Sequence, residues 1–271
     1  MGRTVQIVGI VNITEDSFSD GGRYLEPGRA IEQARQLAAD GAGIVELGPA
    51  SSHPDAAVVP PDRQIARLRP VLEALRGESR PISVDATHPD VLRAALAAEV
   101  AWLNDVRGFP DETLYPELAG ARASLVVVHS LAQAERADRA LASPRRVLDS
   151  IERFFETRLA DLVRAGVAEE RLIVDPGMGF FLGGDPRASI AVLQRIAVLR
   201  ARFGRPVLVS VSRKSFLRAL TGSGLDAIGA ATLAAELFAA RNGVDWIRTH
   251  DVRALRDGLA IEAALARDGL D

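Results

Sequence analysis

The sequence contains no cysteine among its 271 residues. Disulfide bonds and thiolate metal sites are therefore excluded. Only four histidines are present, none in a paired ligand motif, so a zinc site is not expected. No apolar run approaches the roughly 18 residues that span a bilayer, and the first residues lack the pattern of a secretory signal. We expect a soluble, cytoplasmic protein without a membrane partner.

The chain also lacks an excess of positive charge, because its formal net charge is −3. Nucleic acids and anionic membranes bind clustered positive charge, so neither partner is expected, and any anion site must be local. Lys214 is the single lysine, and arginine supplies the rest of the positive charge. One explanation is a GC-rich genome in which arginine replaces lysine. The alternative is that Lys214 stands where a planar guanidinium cannot replace a compact ammonium.

Short apolar, β-branched segments recur eight times and alternate with longer segments of helical spacing. Such strands suit a parallel sheet that is covered by helices. The order predicts an α/β fold, a single (β/α)₈ TIM barrel over residues 1–271. The predicted strands are 5–11, 44–47, 82–84, 101–103, 125–128, 172–174, 207–211 and 244–247; the clearest predicted helices are 30–39, 62–75, 146–165, 189–203 and 228–241.

Glycines follow several of the predicted helices, at positions where a left-handed cap residue is favoured. They are Gly41, Gly166, Gly204 and Gly243. The polar segment 131–144, after the fifth strand, is expected to cross the surface.

Polar side chains stand at the carboxyl end of nearly every predicted strand, where TIM barrels place their active sites. A polar residue at one strand end is usually a cap or a solvated loop residue, but a complete rim of them predicts a site. These residues are Asn12, Glu46, Asp85, Asn104 with Asp105, His129, Asp175, 212–214, and Arg248 with His250.

Four motifs carry the strongest chemical signals. Segment 8–22 combines carboxylates, hydroxyls and a glycine pair, as in a mobile loop that contacts a metal. Segment 175–184 is rich in glycine, which lets backbone approach a ligand. Segment 210–217 opens a helix with two cations, where an anion is favoured. Within 247–250, Arg248 and His250 are two residues apart and so face the same side, near the usual phosphate position of barrels.

In this order, the motifs resemble the dihydropteroate synthases, the pterin-binding barrel enzymes of bacterial folate synthesis, over essentially the whole chain. Segments 48–56, 177–182, 209–217 and 248–250 are similar to the sulfonamide-insensitive branch of that family, which includes the mobile resistance enzymes. The resemblance implies condensation of 6-hydroxymethyl-7,8-dihydropterin diphosphate with 4-aminobenzoate. It also implies magnesium as cofactor and a homodimer.

The resemblance further implies roles for individual residues. The pterin is expected at Asp85, Asn104, Asp175, Lys214 and Arg248. The diphosphate is expected at Asn12, Arg248 and His250, with Asn12 also a magnesium ligand. The aminobenzoate is expected at Ser52, His53, Pro54, Phe180, Phe181 and Ser215. The catalytic residues are expected to be Lys214, Asp85, Asp20 and Asp175, in a dissociative mechanism without a covalent nucleophile.

Several positions depart from the family pattern. The first loop has Thr-Glu-Asp at 14–16 in place of Thr-Pro-Asp, and the second has Ala-Ser-Ser-His-Pro at 50–54 in place of Glu-Ser-Thr-Arg-Pro. The aminobenzoate contacts are therefore transferred less securely than those to the pterin. Phe181 adds a second aromatic beside the expected aminobenzoate site. One hypothesis makes it a size filter against sulfonamides; the alternative is packing against a neighbouring helix.

Two other functions stay open at this point. A methyltetrahydrofolate-binding barrel of a corrinoid methyltransferase would share the pterin contacts but would not need segments 8–22 and 210–217. A catalytically silent pterin-binding paralogue would not need the intact polar set. Of the remaining histidines, His129 is expected to satisfy a backbone carbonyl, and His88 to lie at a helix start.

Overall fold

The computed structural model describes residues 4–14, 25–51, 56–131 and 143–266. Within these ranges the chain alternates strands with helices. The strands are β1 Gln6–Asn12, β2 Ile44–Gly48, β3 Ile82–Asp85, β4 Trp102–Asp105, β5 Ser124–Val128, β6 Leu172–Asp175, β7 Leu208–Val209 and β8 Trp246–Thr249. The helices are α1 Pro27–Asp40, α2 Pro61–Leu75, α3 Pro89–Ala97, α4 Tyr115–Gly120, α5 Pro144–Arg164, α6 Pro186–Gln194, α7 Ile196–Phe203, α8 Ser215–Thr221, α9 Gly229–Arg241 and α10 Val252–Leu265.

The eight strands form one parallel sheet in the order β6-β5-β4-β3-β2-β1-β8-β7. A parallel bridge between Val174 and Val207 brings the two ends of this order together. The backbone N–H of Val174 also donates to the carbonyl of Pro206 at 3.0 Å. The sheet therefore closes into a barrel with helices outside it, and the predicted TIM barrel is confirmed.

Most predicted elements match the observed ones, with two differences. The predicted strand 207–211 is shorter, because β7 covers only Leu208–Val209. The predicted helix 189–203 is divided at Arg195, where φ is −112° and ψ is 10°, into α6 and α7. The four predicted cap glycines all have positive φ. Most of the segment predicted to cross the surface lies outside the described residues.

The inside of the barrel begins with an apolar layer, called the floor here. Its residues are Val8, Ile44, Trp102, Val126, Val128, Ile173 and Leu208, with Trp246 packed against them. The rings of Trp102 and Trp246 meet edge to face, with centroids 4.5 Å apart. The intervening strand residues, such as Val45 and Leu103, belong to the larger core between sheet and helices. This division follows the two-residue period of a strand.

The same period places polar residues above the floor. Glu46, Asn104 and Asp175 lie two positions beyond a floor residue on the same strand. Arg248 lies two positions beyond Trp246 on β8, and Ser210 lies two positions beyond Leu208, immediately after β7. Because the strands are parallel, these positions rise toward one end of the barrel, where each carboxyl end meets its loop. The fold therefore gathers the polar positions of separate strands into one place. No helix of the described residues has the length and apolar character needed to cross a bilayer.

Candidate active site

The residues expected to bind the pterin line one cavity at the carboxyl end of the barrel. Its walls are Asp85, Asn104, Val106, Val128, Asp175, Met178, Phe181, Ser210, Lys214 and Arg248. The polar members come from β3, β4, β6, β8 and the segments after β7. The structure thus brings together all five residues of the predicted pterin set.

Two carboxylates hold Arg248 across the barrel. Its Nη2 donates to Oδ2 of Asp85 at 2.9 Å, and its Nε contacts Oε1 of Glu46. Glu46 has no exposed surface. Its second oxygen accepts hydrogen bonds from Ser83 Oγ and Asn104 Nδ2, both at 3.0 Å. Such pairing offsets the large cost of removing these charges from water.

Burial alters the acid–base character of the cavity carboxylates. Burial raises the pKa of Asp85 to about 7, against the opposing charge of Arg248. Burial also raises the pKa of Asp175 to about 6, although the N–H of Gly177 donates to its Oδ1 at 2.8 Å. Both groups therefore titrate close to neutral pH and respond to any charge that enters the cavity.

Lys214 immediately precedes α8, and its ammonium lies 4.7 Å from the centroid of the Phe181 ring. This is the geometry of a cation–π contact. Burial and then repulsion from Arg248 lower the pKa of Lys214 to about 8, while Asp175 and Asp85 oppose the shift. A group with this pKa is still mainly protonated at neutral pH. It is a strong hydrogen-bond donor because its charge is weakly solvated.

The region around His250, after β8 and next to the cavity residues Lys214 and Arg248, contains several cations. The ring Nδ1 of His250 lies 2.9 Å from Ser212 Oγ. The pKa of His250 is held well below its ordinary value by burial first, and then by the charges of Arg213, Arg248 and Lys214. A neutral imidazole among three cations marks a region that favours an anion. Arg248 and His250, two of the residues predicted to bind diphosphate, therefore lie in the same electropositive region.

Comparison with known proteins agrees with this geometry. The model of the pterin binding enzyme family matches residues 8–250. Dihydropteroate synthase type-2 of Escherichia coli is 57% identical over 265 residues, covering 98% of this chain and 97% of the relative. A Xanthomonas albilineans dihydropteroate synthase with 4-aminobenzoic acid superposes with a TM-score of 0.87, at 33% identity, covering 97% of this chain and 94% of that one.

The chain belongs to the pterin binding enzyme family. A second Xanthomonas albilineans structure of this family, a dihydropteroate synthase in complex with 7,8-dihydropteroate, has a TM-score of 0.82 at 32% identity, covering 97% of this chain and 94% of that one. The resemblance drawn from the sequence motifs is thereby confirmed.

The structure describes only part of the two loops, after β1 and after β2, in which several of the predicted site residues lie. Asp20, Ser52, His53 and Pro54 lie outside the described residues. Asn12 ends β1, and its amide oxygen faces β2, since a Cβ added to Gly48 would lie 3.5 Å from Oδ1. Within the described ranges, no three histidine or carboxylate side chains are grouped to hold a metal.

Phe180 and Phe181 differ in placement. Phe180 is 39% exposed, whereas Phe181 is half-buried and lines the cavity. Ser215 lies beside the same segment: a Cβ on Gly179 would approach its Oγ to 3.1 Å. Gly177 has φ +77°, and a Cβ there would lie 2.4 Å from the carbonyl oxygen of His129. The glycines of this pterin-binding chain thus let the turn after β6 pack closely on its neighbours.

Two other polar strand-end residues have structural contacts. Asp105 accepts hydrogen bonds from the backbone N–H groups of Arg107 and Phe109 at 2.8 and 2.9 Å, and so caps the turn after β4. His129 contacts the carbonyl of Pro176 and Ser150 Oγ, and burial lowers its pKa to about 4. These contacts confirm the structural interpretation of His129.

His88 caps α3, as expected for a residue at a helix start. Glu46 was predicted as one of the polar strand-end residues, but neither a binding nor a catalytic role was predicted for it. Its position two residues beyond Ile44, a floor residue, is the signal that it faces the inside of the barrel below the site.

Proposed function

We propose that this chain is a dihydropteroate synthase. It condenses 6-hydroxymethyl-7,8-dihydropterin diphosphate with 4-aminobenzoate to give 7,8-dihydropteroate and diphosphate. The observation that carries this proposal is a set of three buried or half-buried hydrogen-bond acceptors and one half-buried ammonium beside an electropositive region. The names of its relatives, and the 4-aminobenzoic acid and 7,8-dihydropteroate bound to the Xanthomonas albilineans enzyme, support it.

The acceptors match the heterocycle of a pterin. Asp85, Asn104 and Asp175 offer oxygens to the amino group and ring N–H groups, and Lys214 offers a donor to the ring carbonyl or nitrogen. A buried polar set of this kind rejects a ligand without the matching groups, because the site atoms would then be left unpaired.

The diphosphate lies at Arg248 and His250 in this proposal. Arg248 uses Nε and Nη2 toward Glu46 and Asp85, so the guanidinium edge carrying Nη1 points away from Glu46. His250 adds a ring nitrogen in the same electropositive region. Asn12 would hold magnesium through its amide oxygen, a hard ligand of the kind that this ion prefers. Magnesium, when bound, would offset the charge of the departing diphosphate.

The reaction is a substitution at the methylene carbon. The bond from that carbon to the diphosphate oxygen breaks, and both electrons leave with diphosphate. The electron-deficient methylene is stabilised by the carboxylates of Asp85 and Asp175, and the amine nitrogen of the aminobenzoate then bonds to carbon and loses a proton. The protein contributes charge complementarity and orientation. Asp20, also predicted to act here, stays a prediction.

Diphosphate release tests this function. The purified chain, mixed with the dihydropterin diphosphate and 4-aminobenzoate, should release diphosphate in stoichiometric amounts with 7,8-dihydropteroate, and only in the presence of magnesium. Lack of turnover with retained pterin binding would indicate a silent pterin-binding protein instead. Turnover that is unchanged by chelation of magnesium would reject the prediction that magnesium is the cofactor.

The homodimeric assembly and the cytoplasmic location also stay predictions.

Phe181 is further proposed to restrict the space for sulfonamides. Its ring lines the cavity and lies next to Lys214 and Gly177, not out on the surface. A sulfonamide is bulkier than the carboxylate of aminobenzoate, and overpacking costs about 1–3 kcal/mol, or roughly 5- to 200-fold in affinity.

The matched pair Phe181→Ala and Phe180→Ala tests this filter. The ratio of the sulfamethoxazole inhibition constant to the KM for aminobenzoate should fall by roughly 5- to 200-fold in Phe181→Ala. It should change little in Phe180→Ala, which removes the neighbouring, more exposed ring. Equal ratios in the wild type and Phe181→Ala would leave Phe181 as a packing residue.

A further inference from the structure

Glu46 connects two sides of the cavity from below. Oε2 accepts from Ser83 Oγ and from Asn104 Nδ2, both at 3.0 Å, and Oε1 accepts from Nε of Arg248. All three neighbours act as donors. Glu46 has no exposed surface, and the cavity wall does not include it. Glu46 therefore does not line the cavity itself, and its hydrogen bonds can influence a ligand only through these neighbours.

The contact with Glu46 decides how the Asn104 amide is turned. A primary amide has a donor at one end and an acceptor at the other. A carboxylate accepts only, so Nδ2 faces Glu46 and Oδ1 faces away from it. Oδ1 of Asn104 is buried and has no hydrogen-bond partner among the described residues. Because Asn104 lines the cavity, this acceptor is available to a ligand N–H.

We infer that Glu46 is a positioning residue that sets the hydrogen-bonding polarity of the pterin site. By holding Nδ2, it makes Asn104 present an acceptor to an N–H group of the heterocycle. The inference rests on the proposed function and adds a residue that selects a donor-bearing ring over an acceptor-bearing one.

If the Asn104 amide were reversed, its Oδ1 would face Oε2 of Glu46. The reversed amide would lose a charge-assisted hydrogen bond inside the protein, which disfavours it by roughly 10- to 100-fold. Ser83 cannot fix the amide in the same way, since a hydroxyl can rotate to donate or accept. The choice of orientation therefore belongs to the carboxylate.

Glu46→Gln is the informative substitution because it keeps the size and removes the second acceptor. The glutamine oxygen is expected to face the charged donor Arg248, which leaves its NH₂ against Asn104. Asn104 would then reverse and present Nδ2 to the ligand. Affinity for 6-hydroxymethyl-7,8-dihydropterin, measured by calorimetry, should fall about 10- to 100-fold. The KM for the dihydropterin diphosphate should rise by more than kcat falls.

A second substitution restores the acceptor. In Glu46→Gln/Asn104→Asp, the glutamine NH₂ donates to one oxygen of the new carboxylate and the other oxygen faces the cavity. Asn104→Asp alone places two carboxylates together and should also weaken binding. The double variant should bind pterin more tightly than either single variant. Additive losses would overturn the inference, because they would show no coupling between the two positions.

Ser83→Ala is the matched control. It removes the other donor to the same Glu46 oxygen but leaves the amide orientation unchanged. Pterin affinity should stay within about 3-fold of wild type, less than the loss of a neutral hydrogen bond in the site. A loss as large as that of Glu46→Gln would mean that the network acts only by general packing.

A measurement on the wild type does not depend on whether the variants fold. The chain has three asparagines, Asn12, Asn104 and Asn242, so selective ¹⁵N labelling of their side chains gives a simple NMR spectrum. The Asn104 NH₂ should be protected from exchange with solvent both before and after pterin binds. An NH₂ that exchanges freely without pterin and becomes protected with it would donate to the ligand, and would overturn the inference.

The outcomes separate this inference from the proposed function. If wild-type protein does not bind the pterin, the proposed function fails. If the wild type binds it and Glu46→Gln, folded by its melting curve, binds equally well, only the role of Glu46 fails.

Discussion

The floor and the polar layer above it occupy the same strands, two residues apart, and are stabilised by opposite means. Ile44 and Trp102 pack among apolar neighbours, whereas Glu46 and Asn104 form a hydrogen-bonded set with Arg248. Apolar burial is favourable without any particular geometry. Buried charges are tolerated only when each has a partner. The barrel therefore uses one layer for stability and the next for recognition.

Replacing the single lysine should give the largest effect on the polar layer. Lys214→Arg keeps the charge but places a larger, planar group in the position of an ammonium that contacts Phe181. We expect kcat/KM to fall by about 1,000-fold or more, equivalent to roughly 4 kcal/mol of transition-state stabilisation. Steady-state kinetics together with a melting curve would measure this.

A conservative change elsewhere provides the comparison. Arg202→Lys alters a surface ion pair with Glu152 and Glu156 and should leave turnover unchanged. Near wild-type turnover of Lys214→Arg would mean that an arginine-rich composition alone explains the single lysine.

Substitution of a floor residue should lower the stability of the protein without weakening substrate binding. Trp102 is 7% exposed and packs edge to face on Trp246. Trp102→Ala should lower the free energy of unfolding by about 3–5 kcal/mol through lost burial and a cavity. Urea unfolding measures the loss, and the KM of the folded protein for the dihydropterin diphosphate should stay near wild type. A large rise in that KM would abolish the distinction between the two layers.

The last prediction concerns the contribution of Asp85 to the pH dependence of stability. Burial raises the folded-state pKa of Asp85 from 3.8 to about 7. The folded protein thus keeps a proton that the unfolded chain releases, so this contribution to stability is present at low pH and is lost as pH rises from about 4 to 7. Asp85→Asn should flatten the dependence of the unfolding free energy on pH in this window.

The contribution of Lys214 to stability changes with pH in the opposite direction. Its folded-state pKa is lowered to about 8, so its contribution to stability rises as pH increases from about 8 toward the ordinary lysine value. Urea unfolding at pH 5, 7 and 9 would measure both trends. Equal slopes for Asp85→Asn and wild type between pH 5 and 7 would contradict the assignment to Asp85.

Individual residues show how far the sequence could be used for prediction. Asn104 and Asp105 are adjacent and both end β4, so their types alone do not separate them. The two-residue period does: Asn104 follows the inward Trp102 and lines the cavity, whereas Asp105 caps a turn. Arg195 is a different case. Nothing in its segment signals the break between α6 and α7, since an arginine is compatible with an uninterrupted helix.

The sequence by itself determined the strand and helix alternation and the polar residue at each strand end, because these depend on local periodicity and residue type. It also carried the motifs by which the family was identified. Only the tertiary structure decided that Arg248 lies between Glu46 and Asp85, and that Lys214 lies over Phe181. These contacts join segments far apart in the chain. Their electrostatic effects depend on closure of the barrel, which removes water and brings the charges together.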